Sequence, residues 1–138
     1  MREQTLLGFD FGTQRIGVAL ANTIIGDARP LEIIDSPVRD VRFARIASLI
    51  QAWQPNELVV GLPLTLDDQE QSASVQSRRF ANQLQGRYKL PVHLVDERGS
   101  SLEAQESVGH QPDDAMAAAI ILQRYLDTLL TPQKLSAL

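Results

Sequence analysis

Apolar positions along the chain fall into short blocks with two periods, and these blocks predict the elements. Residues 5–11 (TLLGFDF) and 15–21 (RIGVALA) are nearly continuous apolar runs, read as two buried strands joined through the turn Gly12-Thr13-Gln14. A third strand is expected over Ala28–Ile34, where Pro30 calls for a sheet edge or a late start. The spacing then changes. Phe43, Ile46, Ile50 and Trp53 recur every three or four residues, one face of a helix that begins after Ser36-Pro37 and ends before Pro55. ELVVGLP (57–63) is a short buried strand. A polar loop over 65–74 leads into a helix whose buried side is Ala73, Phe80, Ala81 and Leu84, with Gly86 as its C-terminal cap. PVHLV (91–95) is the last strand and runs into Asp96-Glu97-Arg98. Ser100 and Glu103 have capping-box spacing for a short helix closed near Gly109, and a final helix runs from about Pro112 to Leu130 before a frayed tail.

Three strands followed by alternating helices and strands imply one α/β domain over residues 1–138, a mixed sheet with helices on both faces. The first strand is then central, and Asp10 sits near its carboxyl end, where open sheets of this class keep their sites. A lone ionised carboxylate in such a setting is costly unless it is paired, hydrogen-bonded or bound to a cation. Asp10 either accepts hydrogen bonds from the Gly12–Gln14 turn or has a partner elsewhere in the chain.

Two acidic clusters can supply that partner. Asp96-Glu97 ends a strand that in an alternating sheet could lie next to the first, and the two-residue period lets only one of them face Asp10; the pattern does not choose. Asp113-Asp114 opens the last helix. Asp114 shares a stripe with Ala118, Ile121 and Tyr125 and is expected to face the sheet, whereas Asp113 complements the helix dipole. His93 and His110 are assigned no chemistry.

Composition changes this picture in two ways. The chain lacks cysteine, which excludes disulfides and thiolate metal sites, and the three carboxylates on two strand ends and a helix start make an oxygen-rich donor set suited to Mg²⁺ or Mn²⁺. A formal net charge of −4 provides no general attraction for nucleic acid. Two bound divalent cations would offset that charge and could clamp a phosphodiester between them, roughly 3.5–4 Å apart. No apolar run is long enough to cross a bilayer and no segment resembles a secretory leader, so a cytoplasmic protein without membrane partners is expected.

The blocks DFGTQRIGVA (10–19), VVGLPL (59–64), RRFANQL (78–84), DERGSSLEA (96–104) and DAMAAAIILQRYL (114–126) resemble, in order, those of the YqgF family, also called RuvX. The resemblance covers most of the chain and implies an RNase H-like fold with a five-stranded sheet, related to the RuvC resolvase. It further implies a metal-dependent nuclease, acting on the 5′ end of pre-16S rRNA or as a Holliday junction resolvase. By the same resemblance Asp10, Glu97 and Asp114 are the catalytic metal ligands for two ions, and Thr13, Arg15 and Arg98 are candidate nucleic-acid contacts. Three departures stand out: Gly99 follows "DER" where an apolar residue is usual, VGHQPDD lacks a common lysine, and Asp68 replaces a common glycine.

Two other readings compete. DFGT also resembles the phosphate loop of sugar-kinase and actin-like ATPases, but those need two such domains and 138 residues hold one. A nucleic-acid-binding or regulatory module without turnover would keep the fold. Monomer and homodimer are both compatible with the sequence.

Overall fold

The computed structural model describes residues 3–63, 71–96 and 113–130. Five strands, β1 (Thr5–Phe11), β2 (Arg15–Asn22), β3 (Ala28–Asp35), β4 (Glu57–Leu62) and β5 (Val92–Asp96), form one sheet in the order β3-β2-β1-β4-β5. β1 to β3 make an antiparallel meander, and β4 and β5 join it in parallel. β1 is central, as its buried run requires, and β3 is an edge strand, which accommodates Pro30. Parallel pairing aligns Phe9 with Val60 and Val60 with Leu94, so β1, β4 and β5 end at the same rim. One expectation is corrected here: β4 lies between β1 and β5, so the strand ending at Asp96 is not adjacent to β1.

Alternation along the strands separates two cores. Leu7, Phe9, Ile16, Val18, Leu58 and Val60 face helices α1 (Arg39–Trp53) and α2 (Ser72–Tyr88). Leu6, Ala19, Ala21 and Val59 face helix α3 (Asp114–Leu130), which contributes Ala118, Ala119, Ile121, Leu122 and Leu126. The α3 side of the sheet is lined by small residues, and this lets the helix approach closely. A methyl group on Gly8 would fall 2.8 Å from Leu122 Cβ.

The helix faces differ in detail from their predicted stripes. On α1, Arg42 and Leu49 are buried with Phe43 and Ile46, while Trp53 at the last turn is turned outward. Arg29 lies over the Trp53 ring at 5.9 Å, so the indole packs against the β3 edge instead of the core. On α2 the first-turn core position belongs to Ser74 and not to Ala73, which is exposed. Ser74 is tolerated there because its hydroxyl donates to the Pro63 carbonyl and accepts from the Gln71 N–H, anchoring the helix start to the end of β4. Gly86 is not the cap; α2 continues to Tyr88, and Lys89 takes the left-handed conformation with φ 59°. The helix expected from Ser100 to Gly109, the 131–138 tail and Pro112 lie outside the described residues.

Candidate active site

The site is built where the carboxyl end of β1 meets the first turn of α3. Asp10 is paired across the sheet with Gly17 of β2. Because β1 alternates, Asp10 shares the α3 side with Leu6 and Gly8, while Phe9 and Phe11 point to the α1–α2 side. The start of α3 rests directly on Gly17: a Cβ there would lie 1.8 Å from the Asp114 carbonyl oxygen. A side chain at position 17 is therefore incompatible with this approach, and the approach brings Asp114 to Asp10.

The two acidic residues at the head of α3 have separate tasks. Asp113 is the N-cap, its carboxylate accepting the Met116 N–H at 2.7 Å while its carbonyl accepts from Ala117. Asp114, the first helical residue, is left to face the sheet, as its stripe predicts. Asp113→Ala is expected to cost about 1 kcal/mol and lower the melting temperature by a few degrees. A thermal melt showing no change would assign the cap to another group.

Burial and the charge of Asp114 together push Asp10 up to about 6, with burial the larger cause. Asp114 is itself partly exposed and lies 3.9 Å from Arg15 Nη1, and the Arg15 Nε is 3.5 Å from Asp35 on β3. Arg15 thus bridges the β3 edge and the head of α3, directed toward the carboxylate pair. Both pairs are solvent-exposed and contribute little stability of their own. Thr13, with Gln14, is exposed on the β1–β2 turn.

An oxygen-only pair that repels itself when both members ionise is suited to a hard divalent cation, which would relieve the repulsion and favour the charged form of Asp10. The residues present fit such an ion. Among the described residues no cluster of three acidic, His or Cys side chains is formed; Glu97 and Arg98 lie outside them. Asp96 ends β5, and its carbonyl accepts from Arg124 Nη1 at 3.3 Å. His93 is away from this rim, near the start of β5, meeting Glu57 at 2.8 Å and stacked on Tyr125.

Sequence reasoning missed Arg42. It is buried on α1, donates through Nε to the Ser36 carbonyl and through Nη2 to the Gly12 carbonyl, and so ties the β1–β2 turn to the start of α1. The signal was available, since positions 42, 46 and 49 share a helical stripe and a charge at the first of them needs a reason.

The family model described as "RuvX: Holliday junction resolvase" matches residues 4–128. The chain belongs to the RuvX family. A member from Bordetella parapertussis, named "Putative pre-16S rRNA nuclease", is 65% identical over 133 residues, covering 96% of this chain and all of that protein. A RuvX relative of the same name from Paraburkholderia xenovorans is 48% identical, covering 93% of this chain and 91% of its own length. Among solved structures, Thermus thermophilus RuvC in complex with a Holliday junction substrate superposes with a TM-score of 0.60 at 15% identity, covering 93% of this chain and 96% of RuvC. The fowlpox virus resolvase, bound to Holliday junction DNA, gives 0.53 at 11% identity, covering 92% and 99%. At these identities the likeness establishes the fold, which this RuvX chain shares with RuvC-like, RNase H-like resolvases.

Proposed function

We propose that the protein is a nuclease that hydrolyses phosphodiester bonds of nucleic acid, with the 5′ end of pre-16S rRNA as its substrate. The observation that carries the reading is the Asp10–Asp114 pair at the strand rim, held together by the contact of α3 with Gly17. The names of the matched RuvX relatives support the choice of ribosomal precursor, and such a substrate would be met in the cytoplasm.

Asp10, Asp114 and Glu97 would hold two Mg²⁺ or Mn²⁺ ions. β5 turns Val95 toward α3 and Val92 toward the opposite core. Asp96, next to Val95 in the strand, falls on the side away from α3, and the family resemblance names Glu97 as the third carboxylate. When bound, such ions activate water and neutralise charge on the phosphate. Of the two described carboxylates Asp10 is the more deeply buried, and its charged form would gain most from a bound cation. Arg15 and Thr13 on the turn, with Arg98 beyond β5, would contact the phosphate and fix its orientation. Arg15 exchanges its exposed carboxylate partners for phosphate at little cost, because those pairs are weak.

The family description supports a second reading, cleavage of four-way DNA, which would call for a symmetric homodimer to cut two strands in matched positions. The rRNA reading needs only a monomer. A cleavage time course separates them: a structured precursor RNA and a four-way junction are each offered with Mg²⁺ or Mn²⁺, with and without a chelator. Metal-dependent cutting of the RNA, abolished by chelation, is expected. Cutting of the junction alone would move the protein to recombination, and failure to cut either would remove the nuclease reading.

A further inference from the structure

We propose that a pocket on the opposite face of the β1 terminus takes one unstacked nucleobase of the strand whose phosphate lies at Asp10. This rests on the nucleic-acid reading above and adds a specificity that reading lacks. The pocket has a volume of about 200 Å³ and is lined by Phe11, Pro37, Arg39, Arg42, Phe80 and Gln83, among others.

Chain connectivity places it. Asp10 and Phe11 are consecutive in β1 and point to opposite faces, so the pocket begins one residue, a rise of about 3.3 Å, from the carboxylate. The Gly12–Gln14 turn separates the two faces at the rim. A strand crossing that turn with its phosphate on the Asp10 side has its neighbouring base delivered to the Phe11 side.

The lining suits a base better than an aliphatic ligand. The Phe11 ring is backed by Phe80 at 4.9 Å between centroids, and Phe80 is in turn braced by Phe9 and Phe43. This is a rigid aromatic floor that remains only partly covered at Phe11. Above it lies Arg42, with its guanidinium 5.3 Å from the Phe11 centroid. Arg42 is 6% exposed, and among the described residues its partners are neutral carbonyls with no carboxylate. The pocket wall therefore carries a positive charge complementary to a polyanionic strand. Gln83 offers an amide at the rim, and Arg39 is exposed beside it.

A base can enter only if it leaves its helix. The pocket therefore selects substrates with an unpaired nucleotide next to the cleaved bond, and it tolerates any base because each has a π-face. That favours the single-stranded flank of a precursor over the fully paired arms of a junction.

The test uses the full chain carrying Asp10→Asn, so that the strand stays intact in Mg²⁺. 2-Aminopurine is placed at each position in turn of a single-stranded oligonucleotide. Quenching is expected at one position, and an abasic residue there should weaken binding about tenfold while abasic residues elsewhere have little effect. Adding Phe11→Leu should abolish both the quench and the abasic penalty; Gln83→Trp, which fills the pocket from a half-exposed helix position, should do the same if Phe11→Leu fails to fold. Uniform fluorescence along the strand, or a position effect that survives Gln83→Trp, overturns the pocket. Cleavage by wild type without any position effect would sink this inference and leave the nuclease reading intact. A position effect without cleavage by wild type would do the reverse.

Discussion

At neutral pH in metal-free buffer the Asp10→Asn protein is expected to melt several degrees above wild type, and with Mg²⁺ added to cleave nucleic acid on the order of 10³-fold more slowly or not at all. The gain in stability follows from the direction of the Asp10 shift. Its folded pKa is raised from 3.8 to about 6, so the folded state holds a proton that the unfolded chain releases. Below about pH 4 both states are protonated and the fold bears no penalty at this position. Stability then falls as pH rises through about 6, and above that the ionised carboxylate costs about 3 kcal/mol. Asparagine keeps the shape and remains neutral, so its stability curve lacks this fall. Melting curves of both proteins from pH 4 to pH 8 should converge at the acid end and separate toward neutrality. Adding Mg²⁺ should stabilise wild type and leave the variant unchanged, closing the gap. Parallel curves would mean that Asp10 is solvated, and undiminished cleavage by the variant would take Asp10 out of the chemistry.

The sequence exposed the candidate carboxylates because each stands on an otherwise apolar face. Asp10 interrupts an apolar strand, and Asp114 lies on the same stripe as Ala118 and Ile121. Both facts are periodicities of the chain, and the fold preserves them. β1 could be placed at the centre of the sheet because only a strand covered on both faces is apolar at nearly every position. The insertion of β4 between β1 and β5 could not be read from periodicity, since strand order is decided by crossover connections and by which apolar faces meet. The choice between Ala73 and Ser74 depended on a hydroxyl finding the Pro63 carbonyl, a long-range contact that leaves no local trace. Arg42 and Gly17 were legible in principle. A charge on a buried stripe and the small residues Gly17, Ala19 and Ala21 alternating along a strand both announce a close neighbour, though not its identity.

That neighbour makes Gly17→Ala more disruptive than the same change at Gly8, Gly12 or Gly86. The added carbon would lie 1.8 Å from the Asp114 carbonyl oxygen, 2.2 Å from its carbonyl carbon and 2.8 Å from the Ala115 nitrogen. All three are backbone atoms, so no rotamer change relieves the overlap, and either β2 or the first turn of α3 must move. Since Gly17 is the cross-strand partner of Asp10, the movement falls on the carboxylate pair itself. A loss of about 3 kcal/mol or more is expected, with cleavage reduced further than the unfolded fraction explains. Two other glycines calibrate the effect. At Gly8 the nearest atom is Leu122 Cβ at 2.8 Å, which no rotamer change moves, but the overlap is smaller than at Gly17, so Gly8→Ala should cost less. At Gly86, inside α2, an added methyl meets nothing within 4 Å, and alanine should stabilise the helix by about 0.5–1 kcal/mol. Urea unfolding of the three variants should therefore order them Gly86, Gly8, Gly17 from most to least stable. If Gly17→Ala unfolds with Gly86→Ala, α3 does not rest on β2 there, and that contact does not bring Asp114 to Asp10.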